Sequence, residues 1–263
     1  MNPGQHPPSC LSTELVDQAQ RQLQRHQAAW QRKPVLRAAY AELYDRISRF
    51  IDPSLAGAVV EIGSGLGHLK TYLPQAICTD LVPHPGLDVV CDAYHMPFRA
   101  GTVSHLILLD VFHHLQMPEA FFREARRVLC RSGRLIVLEP FISLLSWPVY
   151  GLLHPEAVGW RTPINRQLDP PSPRAYYAAQ GNATRLFFRR EIPGWPSGWE
   201  IGHAEAFSSL TYLLSGGYSR PAFYPMRCLG LLRRLDNWLS RWPRLFGARC
   251  LVVLRPGRPD AGV

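Results

Sequence analysis

The sequence predicts a doubly wound α/β fold, in which helices cover both faces of a mostly parallel sheet of seven strands. Three features lead to this prediction. Short apolar runs follow one another from residue 58 to residue 138, and they are continuous rather than alternating, as in strands buried on both faces. Loops or amphipathic segments separate these runs in a strand–helix–strand order. Three closely spaced glycines, Gly63, Gly65 and Gly67, follow the first run, as at a ligand-binding turn.

The individual elements follow from apolar periodicity and from the placement of Pro, Gly and Asp. Strands are predicted at Ala58–Ile62, Ala76–Asp80, Val89–Asp92, Ser104–Asp110, Leu135–Leu138, Trp199–Phe207 and Cys250–Leu254. Helices are predicted at Ser12–Lys33, Val35–Ile51, His68–Leu73, Pro118–Cys130 and Leu229–Trp242. A turn at Arg131–Arg134 precedes the fifth strand. Only LVPHPGLD separates the second and third strands, so either a loop makes this crossing or one of the two strands is misplaced.

Changes in composition along the chain predict its organisation. Residues 1–52 form an N-terminal helical extension that packs on the core, and residues 53–263 form the main domain. Within it, residues 141–198 are irregular and rich in Pro, Trp and Arg, which predicts an insertion after the fifth strand and a candidate lid over the substrate. Aromatic residues in and beside this insertion either build its own core or line a pocket for an apolar or ring-bearing ligand. They are Trp147, Tyr150, Trp160, Tyr176, Tyr177, Phe187, Phe188, Trp195 and Trp199.

Composition narrows the classes of function. The 29 Lys and Arg outnumber the 20 Asp and Glu, but no run of basic residues occurs, so nucleic acid is not the expected partner. None of the six cysteines forms a Cys-x-x-Cys pair, so no metal site is predicted, and the cysteines fit a reducing, cytoplasmic environment. The apolar segment Leu135–Leu153 contains Glu139, Pro140 and Pro148, and is better explained by a buried strand and a short helix than by a membrane span.

The spacing of the three glycines separates two kinds of nucleotide site. A dinucleotide-binding turn reads Gly-x-Gly-x-x-Gly, which would put the third glycine where His68 stands. The chain instead has an acidic residue and three alternating glycines, at Glu61, Gly63, Gly65 and Gly67. This pattern resembles motif I of class I S-adenosylmethionine-dependent methyltransferases, whose fold is Rossmann-like. A dehydrogenase is disfavoured by the same spacing.

Further motifs, in the order that this superfamily has them, extend the resemblance over Ala58–Pro140. Asp80 ends the second strand, where the family keeps an acid for the ribose hydroxyls, although a loop-capping Asp would look the same. Asp92 and Ala93 stand where the family contacts adenine, although an Asx turn is an alternative. Met96-Pro97-Phe98 matches the usual Leu-Pro-Phe, whereas Cys130-Arg131-Ser132-Gly133 departs from the usual turn. The resemblance implies S-adenosylmethionine as cofactor, bound by Glu61, Gly63, Ser64, Gly65, Gly67, Asp80, Leu81, Asp92, Ala93 and Asp110.

Methyl transfer itself requires alignment, exclusion of water and, for some nucleophiles, a base. Asp110, His113 and Glu139 are the candidate catalytic residues, because they follow the fourth and fifth strands, at the edge where open α/β sheets bind ligands. The pair His113-His114 also occurs in this superfamily as a structural element that opens a helix. His84, His114 and His154 are eligible as well.

These observations predict a methyltransferase that acts on a small molecule of lipophilic or aromatic character. A non-catalytic binding or scaffold protein with the same fold is the first alternative, and a nucleic-acid methyltransferase, favoured only by the charge, is the second. The helix Leu229–Trp242 carries arginines beside leucines and tryptophans. It either packs on its own domain or makes a peripheral contact with an anionic membrane.

Overall fold

A computed structural model describes residues 13–154, 156, 158–169 and 177–257 of the chain, so Ser12 and Tyr176 lie outside the described residues. Seven strands form one sheet in the order β3-β2-β1-β4-β5-β7-β6. The first five pair in parallel, and β7 lies antiparallel to both β5 and β6. The predicted mostly parallel sheet is therefore confirmed. The strands are β1 Ala58–Ile62, β2 Ile77–Asp80, β3 Val89–Val90, β4 Val103–Leu109, β5 Leu129–Pro140, β6 Trp199–Phe207 and β7 Arg249–Pro256.

The helices agree with prediction to within a few residues where the apolar period is strong. The two N-terminal helices are present, and the helix predicted at Pro118–Cys130 ends at Val128, two residues earlier than predicted. Short 3-10 turns occupy His68–Thr71, Phe112–His114 and Met226–Cys228. The α-helices are α1 Thr13–Arg32, α2 Pro34–Ser48, α3 Pro118–Val128, α4 Ser146–Pro148, α5 Leu210–Leu213, α6 Leu229–Leu239 and α7 Pro243–Phe246. None of the described helices is long and apolar enough to cross a membrane.

The predicted turn at Arg131–Arg134 is wrong, because β5 continues through it with a bulge. Val103 of β4 pairs with Leu129, and two residues later His105 pairs with Arg134. The extra residues of β5 therefore loop out within the strand. A side chain at Gly133 would come within 2.9 Å of the Cys130 carbonyl oxygen, so the tight bulge requires a glycine.

The crossing from β2 to β3 is made by a loop, one of the two alternatives that the sequence left open. Asp88 fixes this loop, since its carboxylate accepts a hydrogen bond from the backbone N–H of Cys78 at 2.7 Å and another from Lys70 at 2.6 Å. Since β3 has only two residues, Asp92 follows it closely and lies near the carboxyl end of β2.

The core has two parts, one on each face of the sheet. Alternate residues along the central strands point to opposite faces, so that Leu106 and Leu108 pack with α3, whereas Ile107 and Leu109 pack with α2. Every residue of β4 is buried, as expected for a central strand covered by helices on both faces. The helices of the N-terminal extension thus supply one layer of the core, while a domain boundary at residue 52 stays a prediction.

The segment 141–198 is largely irregular, with α4 and two π-helical turns at Val149–Leu153 and Thr184–Phe188. Its aromatic residues divide between the two predicted roles. Phe187 and Trp195 pack into the core on the α3 face of the sheet, whereas Tyr150 is buried beside a cavity at the sheet edge. Trp147 remains 43% exposed.

Candidate active site

A cavity of about 800 Å³ opens at the edge of the sheet where the parallel strands end. Residues that directly follow β1, β2 and β4 form its floor: 63–66, 81–82 and 110–111. Its other walls come from α1, from the segment 141–198 and from residues 210–223. This edge of an open α/β sheet is where ligands bind, because adjacent loops diverge there. The sequence predicted a lid from 141–198 only, and α1 and residues 210–223 were missed.

The glycine turn after β1 adopts a conformation that favours glycine at three positions. Gly63, Gly65 and Gly67 have φ angles of +66°, +51° and +70°. A Cβ atom on Gly65 would meet no protein atom within 4 Å, so its backbone faces open cavity. A Cβ atom on Gly63 would instead lie 2.5 Å from a methyl group of Val111. Gly67 does not line the cavity and serves to turn the chain into the next element, which corrects its predicted place at the cofactor.

Asp80 joins the glycine turn to the end of β2. Its Oδ2 accepts a hydrogen bond from the Gly65 N–H at 2.9 Å, and its Oδ1 accepts one from the Leu81 N–H at 2.7 Å. Ser64 secures the same turn, since its N–H donates to the Thr79 carbonyl and its Oγ accepts from the Thr79 N–H, both at 2.8 Å. Asp80, Leu81 and Ser64 all line the cavity, and Asp80 caps the loop at the same time.

Asp92 and Ala93 line the next part of the cavity wall. The Asp92 carboxylate accepts a hydrogen bond from the Tyr94 N–H at 3.0 Å and stands 3.3 Å from Nδ1 of His95. The first contact is an Asx turn, the alternative reading of this residue. Both predicted residues are thus beside Asp80 at one end of the cavity.

Glu61 is buried in β1 at the glycine turn, with 3% of its surface exposed. Burial raises the pKa of its carboxyl group to about 8. Its side chain accepts a weak hydrogen bond from the Cys78 thiol at 3.7 Å, and it forms no ion pair with any residue that the structure describes. A buried carboxyl group that faces a cavity without a cationic partner is suited to a cationic ligand.

Asp110 lies at the sheet edge as predicted, and it is held in an ion pair that the sequence did not predict. Both of its carboxylate oxygens accept hydrogen bonds from the guanidinium of Arg249, one of them at 2.9 Å. Arg249 is fully buried, and its guanidinium lies 3.9 Å above the ring of Tyr212. Burial opposes the charge of Arg249, but Asp110 and the surrounding rings keep its pKa well above the usual range. The sequence feature that could have indicated this ion pair is a single arginine at the start of an otherwise apolar last strand.

Glu139 does not face the cavity, which corrects its predicted place at the substrate. Its Oε1 accepts hydrogen bonds from the N–H groups of Val111 and Phe112, at 2.7 and 2.6 Å. Its Oε2 lies 2.6 Å from Nδ1 of His113. The residue is 1% exposed and is not among the described residues that line the cavity. Glu139 therefore positions the turn after β4 and the imidazole of His113.

His113 does line the cavity, but its surroundings hold it in the charged state. Burial works against this charge, yet the carboxylates of Glu139 and Glu156 outweigh burial and raise the pKa of His113 well above its usual range. A cationic imidazole has no lone pair with which to accept a proton. The predicted role of His113 as a base therefore does not fit this arrangement.

Three residues that the sequence missed or only mentioned surround His113. Glu156 Oε2 lies 3.3 Å from Nε2 of His113, and Glu156 Oε1 lies 3.7 Å from Nε2 of His114. Gln180 is 1% exposed and contacts both His113 and Glu156 through its amide nitrogen, at 3.2 and 2.9 Å. Glu156 and Gln180 belong to an irregular segment, where no periodic pattern indicates which side chains turn inward.

Tyrosine rings enclose the cavity between these two ends. Tyr40 of α2 faces Tyr212 and Tyr218, with centroid distances of 5.7 and 5.5 Å, and Tyr44 of the same helix lies 5.9 Å from Tyr40. His26 of α1 stacks on Tyr218 at 4.2 Å. Burial raises the pKa of each of these four phenols, so they stay neutral hydroxyls at neutral pH.

Comparisons with known proteins agree with this architecture. Residues 60–137 match a family model described as a methyltransferase domain. No curated protein sequence matches the chain.

Solved structures with the same fold cover nearly the whole chain. A chain in the complex between the Haloferax volcanii Trm112 methyltransferase activator and a candidate methyltransferase superposes with a TM-score of 0.55 and 15% identity, over 94% of this chain and 99% of that one. A Thermotoga maritima S-adenosylmethionine-dependent methyltransferase gives 0.51 and 15%, over 92% and 97%. Geranyl diphosphate C-methyltransferase from Streptomyces coelicolor, solved with Mg²⁺, geranyl diphosphate and S-adenosyl-L-homocysteine, gives 0.50 and 13%, over 82% and 79%. At these identities the likeness concerns the fold.

Proposed function

We propose that this chain, which carries a methyltransferase domain of the class I S-adenosylmethionine-dependent fold, binds S-adenosylmethionine in its sheet-edge cavity and methylates a small, largely apolar acceptor. One observation carries the proposal: the backbone of Gly65 borders open cavity, between a buried acid on β1 and a second acid on β2. A ligand can approach the backbone there without meeting a side chain.

The residues along the cavity floor fit the parts of this cofactor. The two acids Asp80 and Asp92 offer carboxylate oxygens, which suit the ribose hydroxyls and the adenine amino group. The turn Gly63–Gly65 offers open backbone for the methionine part, and Glu61 offers a buried carboxyl group that would give up its proton to pair with a cationic group of the ligand. S-adenosylmethionine supplies an activated methyl group on its sulfonium, so the protein's task is to align the acceptor and to exclude water.

The remaining walls of the cavity support an apolar acceptor. Beyond the turn after β4, much of the lining is aliphatic or aromatic. Its aliphatic and aromatic members from 141–198 and 210–223 include Leu145, Val149, Leu153, Leu213, Leu214 and Phe223. A cavity of this kind holds a ligand mainly through its apolar surface and orients it through a few polar groups. His113 and Gln180 supply such polar groups.

The predicted membrane contact gains support from the exposed face of α6 and the residues after it. Leu231, Leu235, Trp238 and Trp242 recur at helical spacing on the surface, and each is at least 37% exposed. Leu245 follows this stripe, and its carbonyl accepts a hydrogen bond at 2.9 Å from the N–H of Leu145, which lines the cavity. The exposed arginines beside the stripe suit an anionic surface: Arg227, Arg234, Arg241 and Arg244. We propose that this surface rests on an anionic membrane and delivers a lipophilic acceptor to the cavity.

A transfer assay tests the proposed reaction. The chain is incubated with S-adenosylmethionine carrying a radioactive methyl group and with a panel of lipophilic phenols, alcohols and amines. The proposal predicts label in the organic extract with at least one acceptor, and loss of that label in Gly65→Ala. Binding of the cofactor with no transfer to any acceptor class would favour the scaffold alternative.

A further inference from the structure

We infer that His113, His114 and Glu156 form a binding site for a divalent transition-metal ion at the acceptor end of the cavity. The three side chains come from the turn after β4 and from the segment 141–198, and all three line the cavity. One ligand atom from each lies within 4.8 Å of the other two. Donors bound about 2.1 Å from one ion at the tetrahedral angle are about 3.4 Å apart. Oε2 of Glu156 lies 3.3 Å from Nε2 of His113, and Oε1 lies 3.7 Å from Nε2 of His114, so each imidazole stands near that separation from one carboxylate oxygen.

The outer contacts of both imidazoles match those of metal-binding histidines. Nδ1 of His113 lies 2.6 Å from the Glu139 carboxylate, and Nδ1 of His114 lies 2.9 Å from the Tyr177 carbonyl oxygen. Metal-binding histidines typically donate their second ring N–H to a carboxylate or a backbone carbonyl, which fixes the ring and directs the other nitrogen at the ion. Here both rings are fixed in this way, with Nε2 toward Glu156, and a bound ion would take the place of the proton that Nε2 of His113 carries in the absence of metal.

Gln180 provides an independent indication of a ligand. Its side chain is 1% exposed, and its Oε1 has no hydrogen-bond partner in the described part of the chain. A buried amide oxygen without a partner costs about 1–3 kcal/mol. Reversal of the amide would put Oε1 where Nε2 now stands, 3.2 Å from Nε2 of His113 and 2.9 Å from Glu156. The oxygen would then face the ion as a further ligand, and the amide nitrogen would take the position at which Oε1 now has no partner.

Charge and chemistry indicate the class of ion. The two carboxylates Glu139 and Glu156 flank one imidazole, and a divalent cation would balance them. Two imidazoles and one carboxylate suit Zn²⁺, Fe²⁺ or Mn²⁺, whereas Mg²⁺ prefers oxygen ligands and keeps its waters. Cysteine spacing predicts no metal, and Glu156 lies far along the chain from the two histidines, so no local pattern indicates this site.

The position of the ion gives it a role in the proposed reaction. A Lewis acid beside the acceptor polarises its oxygen and lowers the pKa of a hydroxyl group. The hydroxyl proton then passes to solvent, the oxygen forms a bond to the methyl carbon, and the sulfonium carbon–sulfur bond breaks to leave a neutral thioether. This role rests on the proposed function, whereas binding of the ion does not.

Titration of the full chain with metal tests the inference. Protein freed of metal by a chelator is titrated with Zn²⁺ and with Mg²⁺ by calorimetry, and Co²⁺ is added in parallel to record its visible absorption. We expect one equivalent of Zn²⁺ to bind, Mg²⁺ to bind far more weakly, and Co²⁺ to give a spectrum of nitrogen and oxygen ligation. His114→Ala and Glu156→Gln should each weaken Zn²⁺ binding by about tenfold or more.

His203→Ala is the matched control, since His203 lies on β6 and does not line the cavity. Thermal melting establishes that each variant is folded. The inference is overturned if folded wild-type protein does not bind Zn²⁺ saturably, or if the affinity for Zn²⁺ is unchanged in both His114→Ala and Glu156→Gln. S-adenosylmethionine binding is measured on the same samples without metal, so that failure of the metal site is distinguished from failure of the cofactor site.

Discussion

Replacing Arg249 by methionine should destabilise the protein by more than its loss of volume would suggest. The methionine keeps most of the apolar stem but removes the guanidinium that pairs with both oxygens of Asp110. Arg249 is 0% exposed, so the pair is held in a largely water-free environment on the arginine side. The substitution would leave Asp110 without the cation that now balances it.

The magnitude follows from three contributions. Removing one partner of a buried ion pair costs about 3–5 kcal/mol. The Asp110 side chain is 24% exposed toward the cavity, so water can solvate the stranded carboxylate and the cost lies near the lower limit. Loss of the cation–π contact with Tyr212 adds about 1–2 kcal/mol to this cost. Removal of the buried Nε of Arg249, which has no partner among the described residues, lowers the cost by a similar amount. We expect a net loss of about 3 kcal/mol in the free energy of unfolding.

Urea denaturation measures this loss, with Arg255→Met as the control. Arg255 lies on the same strand but is exposed, so its substitution should change the free energy of unfolding by less than about 0.5 kcal/mol. Asp110→Asn completes a double-mutant cycle, because asparagine tolerates the φ of +58° at this position. A loss below about 1 kcal/mol for Arg249→Met, or no coupling in the cycle, would show that the Arg249–Asp110 ion pair does not stabilise the fold as expected.

Three further predictions concern the cofactor loop, the buried acid and the exposed stripe. Gly65→Ala should weaken S-adenosylmethionine binding in calorimetry. Gly101 has a φ of +71° and equally open space around the position of a Cβ atom, so Gly101→Ala should reduce stability without changing this affinity. Equal affinities in the two variants would contradict the assignment of the pocket. Because the pKa of Glu61 is raised, its carboxyl group keeps a proton in the native state that the unfolded state loses. The free energy of unfolding should therefore fall as pH rises from 4.5 to about 8, and Glu61→Gln should flatten that part of the pH profile. Trp238→Ser combined with Trp242→Ser should reduce sedimentation with anionic vesicles, and unchanged sedimentation would argue against the membrane surface.

The parts of the fold and site that could be predicted are those written in contiguous residues. The run Ala58–Ile62 and the glycines after it define a strand and a turn by local rules, and both lie where predicted. Trp199–Phe207 was likewise predicted with its observed bounds. Local periodicity and backbone preference decide such elements, so a single sequence suffices.

The parts that could not be predicted depend on pairing between distant elements. Arg249 meets Asp110 only because β7 inserts beside β5, a matter of topology that no local pattern specifies. Glu139 ends a strand at the ligand edge, yet its side chain turns to backbone N–H groups rather than to the cavity. Glu156 and Gln180 lie in an irregular segment, where side-chain direction is set by packing. Binding groups from such segments become visible only in three dimensions.

The proposed binding of S-adenosylmethionine can be tested by calorimetric titration of the purified chain with S-adenosylmethionine, S-adenosylhomocysteine and NAD. We expect saturable binding of both adenosyl ligands at one site per chain and no binding of NAD, because the glycine turn and Glu61 suit a single nucleoside that carries a cationic amino group. Binding of NAD in preference to the adenosyl ligands, or no binding of either adenosyl ligand by folded protein, would contradict it.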